Sequence, residues 1–463
     1  MKRAALACLL LVSFIGSAPA AAPSATCAGH PRMNLKVPAG WCVGRVADGS
    51  DGLRMPRRLL EVAPGRFWLT DLGGWDAGKG RLLEVRTDDS ATGPARVRVL
   101  ASGLDRPHGL QRGPDGLVYV GEAGGVWRTP VAGAAAGNAV QREDIVKYLP
   151  DQGSHPLKEL AFGEGGSLYI NLGSASDDCQ GGWPCPETAG PLPRAAVLEA
   201  KLGGPRLTLQ SLKPYATGLR NSLGLAVGPG GHLWQAENSV DYPEASEPAE
   251  ELNLLKPGSH HGWPSCVTDA GGRSVAARGS SPAAATCTPA TAPFMAWPAH
   301  AAPLQLLFPP APAKGQPATP WAGKLLAVWH GYRASGHRVV AWALGTDGKP
   351  IGLRQDIVGG WDRVPGQRGP GAPAGATVDH RGWLWLVDDR NHLLLVVAPD
   401  TASTTALRRV RRTAPARNSC GFCRCHACAS LAKCLRNLTV VNLAWPAVFM
   451  MAPSHPCTFG AFT

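Results

Sequence analysis

"RPHGLQRGPDGLVYVGEAGGVWR", residues 106–128, carries the pattern on which the fold reading turns. A Pro- or Gly-led apolar strand meets a Pro-Asp-Gly turn, and a second strand rich in Val, Tyr or Leu follows, ending in an acidic residue and glycines. Gly and Asp-Gly tolerate the backbone angles of a tight hairpin turn, so each such stretch reads as two antiparallel strands. The pattern recurs clearly at 155–174, 220–238 and 372–397, and more weakly at 57–74 and 323–342. A third and a fourth strand fit between copies, for example "AAVLEAKL" at 195–202. Repeated four-stranded units of this size point to an all-β fold, a six-bladed β-propeller. A large β-sandwich explains the alternation but not the repeated turn. The Pro-rich stretches at 186–194, 281–320 and 365–373 read as loops between strands.

Composition agrees. The 463 residues include 57 Gly and 42 Pro, about a fifth of the chain, with 44% hydrophobic and 17% charged residues. That is too apolar and too weakly charged for overall disorder, and it favours turns over helices. The net charge of +12 is uneven: residues 401–463 hold eight Arg or Lys and no Asp or Glu. The basic balance therefore belongs mostly to the tail and does not mark the main domain as a nucleic-acid binder.

The first 22 residues read as an export signal, with Lys2 and Arg3 before an apolar run and small residues near Ala20 and Ala22. The run is too short for a membrane span. The expected location is the periplasm or outside the cell. Cys27, Cys42, Cys179, Cys185, Cys266 and Cys287 form three short-range pairs, which an oxidising compartment favours as disulfides. The domain reading is thus a signal at 1–22, a propeller at 23–400 and a basic Cys-rich tail at 401–463. The tail's Cys420, Cys423, Cys425 and Cys428 do not match a common zinc spacing, and it reads as disordered.

Propellers bind ligands where strand ends and loops meet the central channel. The polar residues at the starts of the repeated units are therefore the candidates: His108, His155, and Arg220 with Asn221. One histidine alone is usually structural; several polar groups converging from separate units imply a pocket.

At this point the residues carry a resemblance. "GLRNSLGLAVGPGGHLWQAENSVD" followed by "EELNLLKPGSHHGWPSC" resembles the fourth-blade signature of the soluble quinoprotein sugar dehydrogenases, the glucose/sorbosone dehydrogenase family. "LLAVWHGYRASGHRVV" is similar to a segment of the sorbosone branch. The likeness spans roughly residues 50–398. It implies an exported oxidoreductase that oxidises an aldose or sugar aldehyde with pyrroloquinoline quinone (PQQ) and a calcium ion, then passes electrons to a quinone or small carrier. In that reading His155 is the catalytic base, since a neutral imidazole suits proton abstraction. Arg220 and Asn221 hold the quinone, a guanidinium fork matching its carboxylates. His108 and Arg333 line the pocket. The backbone carbonyls near Ser239 and Val240 ligate calcium, which prefers oxygen, with Glu250 and Glu251 the nearest carboxylates. His330 and His337 read as ordinary loop histidines. One departure stands out: the family's sixth unit begins Gly-Arg-Pro, whereas this chain has Ala372, with Arg363 and Arg368 on the preceding loop. That departure leaves open an alternative, a non-catalytic propeller that binds a sugar or a protein and has lost PQQ. A calcium-dependent lactonase would need acidic and Asn side chains converging at the unit starts, and the sequence lacks them.

Overall fold

The computed structural model describes residues 25–401, apart from 88–92, 133–139, 180–183, 280–286, 288–289, 313–317 and 362–370. The expected export signal, the tail beyond Thr401, and Arg363 and Arg368 lie outside the described residues.

Six mainly antiparallel sheets follow one another along the chain, and a separate two-stranded ribbon joins Cys266–Thr268 to Ser274–Ala276. Blade 1 is Pro56–Ala63, Arg66–Asp71, Gly80–Arg86 and Arg96–Leu104. Blade 2 is Leu110–Arg112, Val118–Glu122, Gly125–Thr129 and Glu143–Lys147. Blade 3 is Leu160–Phe162, Ser167–Leu172, Ala196–Gly203 and Thr208–Thr217. Blade 4 is Gly224–Val227, Leu233–Glu237, Glu250–Leu254 and Met295–Trp297. Blade 5 is Pro303–Leu307, Lys324–Trp329, Arg338–Leu344 and Pro350–Val358. Blade 6 is Pro373–Val378, Leu384–Asp388 and Leu393–Pro399, completed on its outer edge by Trp41–Ala47 from the N-terminal region.

The first strand of each blade contacts the first strand of the next, and blade 6 returns to blade 1. The sheets therefore close a ring, the six-bladed β-propeller expected from the repeats. Closure is reinforced by the pairing of Trp41–Ala47 with the last strand of the chain's final blade and by the Cys27–Cys42 disulfide behind it. Cys179–Cys185 and Cys266–Cys287 are also bonded.

The core is distributed between the blades. Six clusters of buried side chains each fill one seam: blades 1–2, 2–3, 3–4, 4–5, 5–6 and 6–1. Strand side chains alternate faces, so one strand serves two seams. Phe67 and Leu69 face blade 6 while Trp68 between them faces blade 2. Trp385 and Val387 likewise face blade 1, and Leu384 and Leu386 face blade 5. This explains why the second strands are nearly continuous apolar runs: both faces are covered.

Two sequence expectations shift. The stretch 281–320 is not all loop, for it contains Met295–Trp297 and Pro303–Leu307. The weak copy at 323–342 spans the second and third strands of blade 5 rather than the first two. The first strand there is introduced by Pro303 and has no Pro-Asp-Gly turn after it, so the pattern slipped by one strand.

On the ring axis the first strands carry a buried polar cluster. The Arg58 guanidinium of blade 1 pairs with Glu159 at the start of blade 3. It also donates to the carbonyls of Leu223, Leu304 and Ala374, from the starts of blades 4 and 5 and from blade 6. One planar fork thus ties four other points of the ring together.

Candidate active site

A cavity of about 740 Å³ opens at one end of the axis, within the roughly 300–1,000 Å³ typical of ligand pockets. It is walled by residues that precede or end the inner strands of blades 1, 3, 4, 5 and 6, including Arg57, His155, Arg220, Asn221, His330, Arg333, Asp389 and Arg390.

His155 sits just before blade 3. Gly173, at the end of the neighbouring strand, makes room for it; a Cβ there would lie 2.6 Å from His155 Cβ. His155 Nδ1 lies 3.0 Å from the Ser174 carbonyl and 2.9 Å from Ser174 Oγ. The Ser174 hydroxyl spends its own hydrogen on the Ser176 carbonyl. Nδ1 must therefore be the donor, and the lone pair sits on Nε2. Burial, then the nearby Arg220 cation, hold the imidazole down to about 3. At neutral pH it is an uncharged base in a fixed tautomer.

Arg220 is joined to the same frame, its carbonyl accepting from Ser174 N at 2.7 Å. Its guanidinium donates to the Asn238 carbonyl at 2.9 Å and pairs with Asp177 and with Asp241. Asp177 lies two residues before Cys179, at the base of the Cys179–Cys185 loop, and its carbonyl also accepts from Trp263 Nε1 at 3.0 Å. The segment leading into the disulfide thus aims Arg220. Asn221 lines the cavity beside it, and its backbone N–H donates to Glu237 at 3.1 Å.

Ser239 lines the cavity, and its N–H donates to Glu250 Oε2 at 2.6 Å. Val240 does not: its side chain packs against Trp263 and the Cys179–Cys185 pair, and its carbonyl accepts from Tyr242 N at 3.0 Å. Glu250 and Glu251 are adjacent in one strand and so face opposite ways. Glu250 lines the cavity, whereas Glu251 points to Thr268 and Asn253. Burial pushes Glu250 up to about 8. The oxygens around Ser239, Asp241 and Glu250 make an oxygen-only donor set of the kind calcium takes.

His108 departs from the sequence expectation. It is fully buried beneath the cavity floor and lines none of it. Its Nδ1 accepts from Arg57 Nε at 3.2 Å, and its Nε2 lies 3.5 Å from Glu159. Burial and the Arg58 and Arg57 cations hold its pKa well below the ordinary histidine range. His108 stands only two residues before Leu110–Arg112, and its backbone N–H is tied to the Gly121 carbonyl at 2.8 Å, whereas His155 precedes Leu160–Phe162 by five residues; His108 is therefore held within the ring. Arg333 lies on the rim, both terminal nitrogens 3.2 Å from the Pro243 carbonyl.

Sequence reading missed the opposite wall. Asp389, at the end of blade 6, is gripped by Arg57 and accepts from His330 Nε2 at 2.9 Å. Against the effect of burial, His330 and the Arg57 guanidinium hold its carboxyl down to about 2. His330 is thus a cavity residue, not an ordinary loop histidine. His337 hydrogen-bonds the Gly371 carbonyl and lies outside this cavity. Arg57 opens the first repeat, so the unit-start rule would have found it had the weak copy been given equal weight. Ala372 is fully buried, with its N–H on Asp388 at 3.2 Å. The same blade places Arg390 on the cavity wall instead. Neither Arg333 nor Arg390 pairs with a carboxylate among the described residues.

A family profile described as TrAA12-like matches residues 35–400. No curated protein matches the chain. Among solved structures, the calcium structure of Trichoderma reesei Carbohydrate-Active Enzymes Family AA12 is 20% identical, with a TM-score of 0.63 over 79% of this chain and 97% of that one. The holo form of the pyranose dehydrogenase PQQ domain from Coprinopsis cinerea is 18% identical, with a TM-score of 0.64 over 80% and 99%. The PQQ-bound aldose sugar dehydrogenase from Streptomyces coelicolor is 18% identical, with a TM-score of 0.50 over 78% and 100%. These likenesses share the propeller found here. The match of the profile to nearly the whole ring places the chain in the TrAA12-like family.

Proposed function

We propose that this chain is an exported, PQQ- and calcium-dependent dehydrogenase that oxidises an aldose or sugar aldehyde, glucose- or sorbosone-like. The observation that carries the proposal is the pairing of an uncharged, tautomer-fixed His155 with rim arginines that lack carboxylate partners. PQQ, when bound, would supply the acceptor for the hydride, one hydrogen with its two electrons, that leaves the sugar carbon. His155 Nε2 takes the proton of the substrate hydroxyl; Ser174 keeps the ring oriented while it does so. Arg220, Asn221, Arg333 and Arg390 would hold the cofactor's anionic groups. Arg390 offers a cation from the blade whose expected arginine is Ala372. Ser239, Asp241 and Glu250 would hold calcium, which would supply Lewis-acid polarisation of a carbonyl oxygen, while the Val240 carbonyl is taken by Tyr242 N. His108 holds Arg57 from below rather than touching ligand. An external quinone or small carrier would remove the electrons.

Three disulfides fit an oxidising compartment, and no helix among the described residues is long and apolar enough to cross a membrane. Reconstitution of the full chain with PQQ and Ca²⁺, followed by dye reduction over a panel of aldoses, tests the reading. Turnover that His155→Ala abolishes is expected. Failure to bind PQQ would instead favour the non-catalytic propeller, which Ala372 leaves open, and binding of PQQ without turnover of any sugar would mean that the substrate class is wrong.

A further inference from the structure

The cavity mouth carries an aromatic residue that nothing above uses. Trp75 lines the cavity, yet its side chain is 56% exposed. It makes no ring-stacking or cation contact among the described residues. An indole left in water costs hydrophobic free energy, and one at a ligand mouth calls for a reason.

Its loop is not loose. Buried Asp71 holds the base through Arg54 N at 2.9 Å, Met55 N at 3.0 Å, Gly73 N at 2.9 Å and Arg81 Nη2 at 2.8 Å. Gly73 adopts φ +67°, and a Cβ there would meet the Lys79 carbonyl at 2.1 Å. The loop 73–80 therefore closes on itself at a glycine-only position, with Trp75 near its apex. Tyr332 lines the same cavity from blade 5 and is 71% exposed, backed by Arg390 at 5.4 Å from its ring and edge-on to His330 at 5.1 Å. Tyr332 is thus a braced wall, and Trp75 is an open face.

We propose that Trp75 is a preformed platform on which the C–H face of a pyranose ring stacks, with Tyr332 as a second wall. A flat indole on a stiff base needs little ordering when it binds. It favours a cyclic sugar with an uninterrupted C–H face over a small acyclic aldehyde, which cannot cover it. The inference rests on the sugar-oxidising reading and adds to it the side chain that selects the ring form of the sugar.

The test compares Trp75→Ala and Trp75→Phe in the full chain reconstituted with PQQ and Ca²⁺, using D-glucose and D-glyceraldehyde. Trp75→Ala should raise KM for glucose about tenfold, leave kcat within about twofold, and leave glyceraldehyde unaffected. Trp75→Phe should restore most of the glucose KM. An unchanged glucose KM, or equal losses on both substrates, overturns the proposal while leaving the dehydrogenase intact. If no sugar is oxidised, saturation-transfer NMR of glucose decides. Transfer to the ring C–H protons that Trp75→Ala abolishes supports the platform, and absence of transfer to wild type overturns it.

Discussion

The titration of His155 follows directly from its surroundings. Three causes depress it: burial first, then the Arg220 cation, then the Arg194 cation. Its value of about 3 lies roughly 3.5 units below an ordinary imidazole. At about 1.4 kcal/mol per unit, the imidazolium is disfavoured by up to about 5 kcal/mol. The sign for stability is fixed by that direction. Between pH 3 and 6.5 the unfolded chain binds the proton and the folded chain does not, so stability from this group is present above 6.5 and is lost as pH falls. In the protein without cofactor, the His155 ring protons followed by NMR should show no titration between pH 5 and 8. Arg220→Gln should move the transition upward, because it removes the second cause. A wild-type midpoint near 6.5, or one that does not move in Arg220→Gln, would refute the reasoning.

Arg58→Leu should cost about 3–5 kcal/mol in denaturant unfolding, since it strands Glu159 in the ring. Adding Glu159→Leu should recover part of the loss, the rest remaining in the unpaired carbonyls of Leu223, Leu304 and Ala374. Glu250, pushed up to about 8, holds its proton in the folded state between roughly pH 4.5 and 8, so its contribution falls as pH rises through that window. Glu250→Gln should flatten stability against pH there and weaken calcium binding measured by calorimetry; an unchanged slope would contradict the assignment. Cys179→Ser should weaken PQQ affinity through Arg220 and reduce unfolding stability by about 2 kcal/mol for so short a loop; unchanged affinity would separate the loop from the site.

The ring was legible because its information is local. A glycine turn between two apolar runs, as at 113–117, is a property of a few neighbouring residues, and repetition multiplies it. Closure was not legible: Trp41–Ala47 and Leu393–Pro399 pair across about 350 residues, and neither strand has a turn linking it to the other. The cavity divides in the same way. His155, Arg220 and Asn221 occupy unit starts and were found there. Arg57 and Asp389 meet across 332 residues, and the ion pair between them exists only once blades 1 and 6 are neighbours. His108 obeyed the unit-start rule and still misled, because the rule marks where a unit begins and not whether the residue is already tied into its strand pair, as His108 is to Gly121. Trp75 lies in a glycine-rich loop, where sequence indicates a turn but not what the turn faces.

The most direct test of the account is a single turnover: the full chain loaded with PQQ and Ca²⁺ is mixed with an excess of aldose, and the absorbance of the bound quinone is followed with no external acceptor. The account predicts that wild type reduces its quinone and that His155→Ala binds PQQ equally but reduces it at least about a hundredfold more slowly. Failure of wild type to bind PQQ, or equal reduction rates in the two proteins, would contradict it.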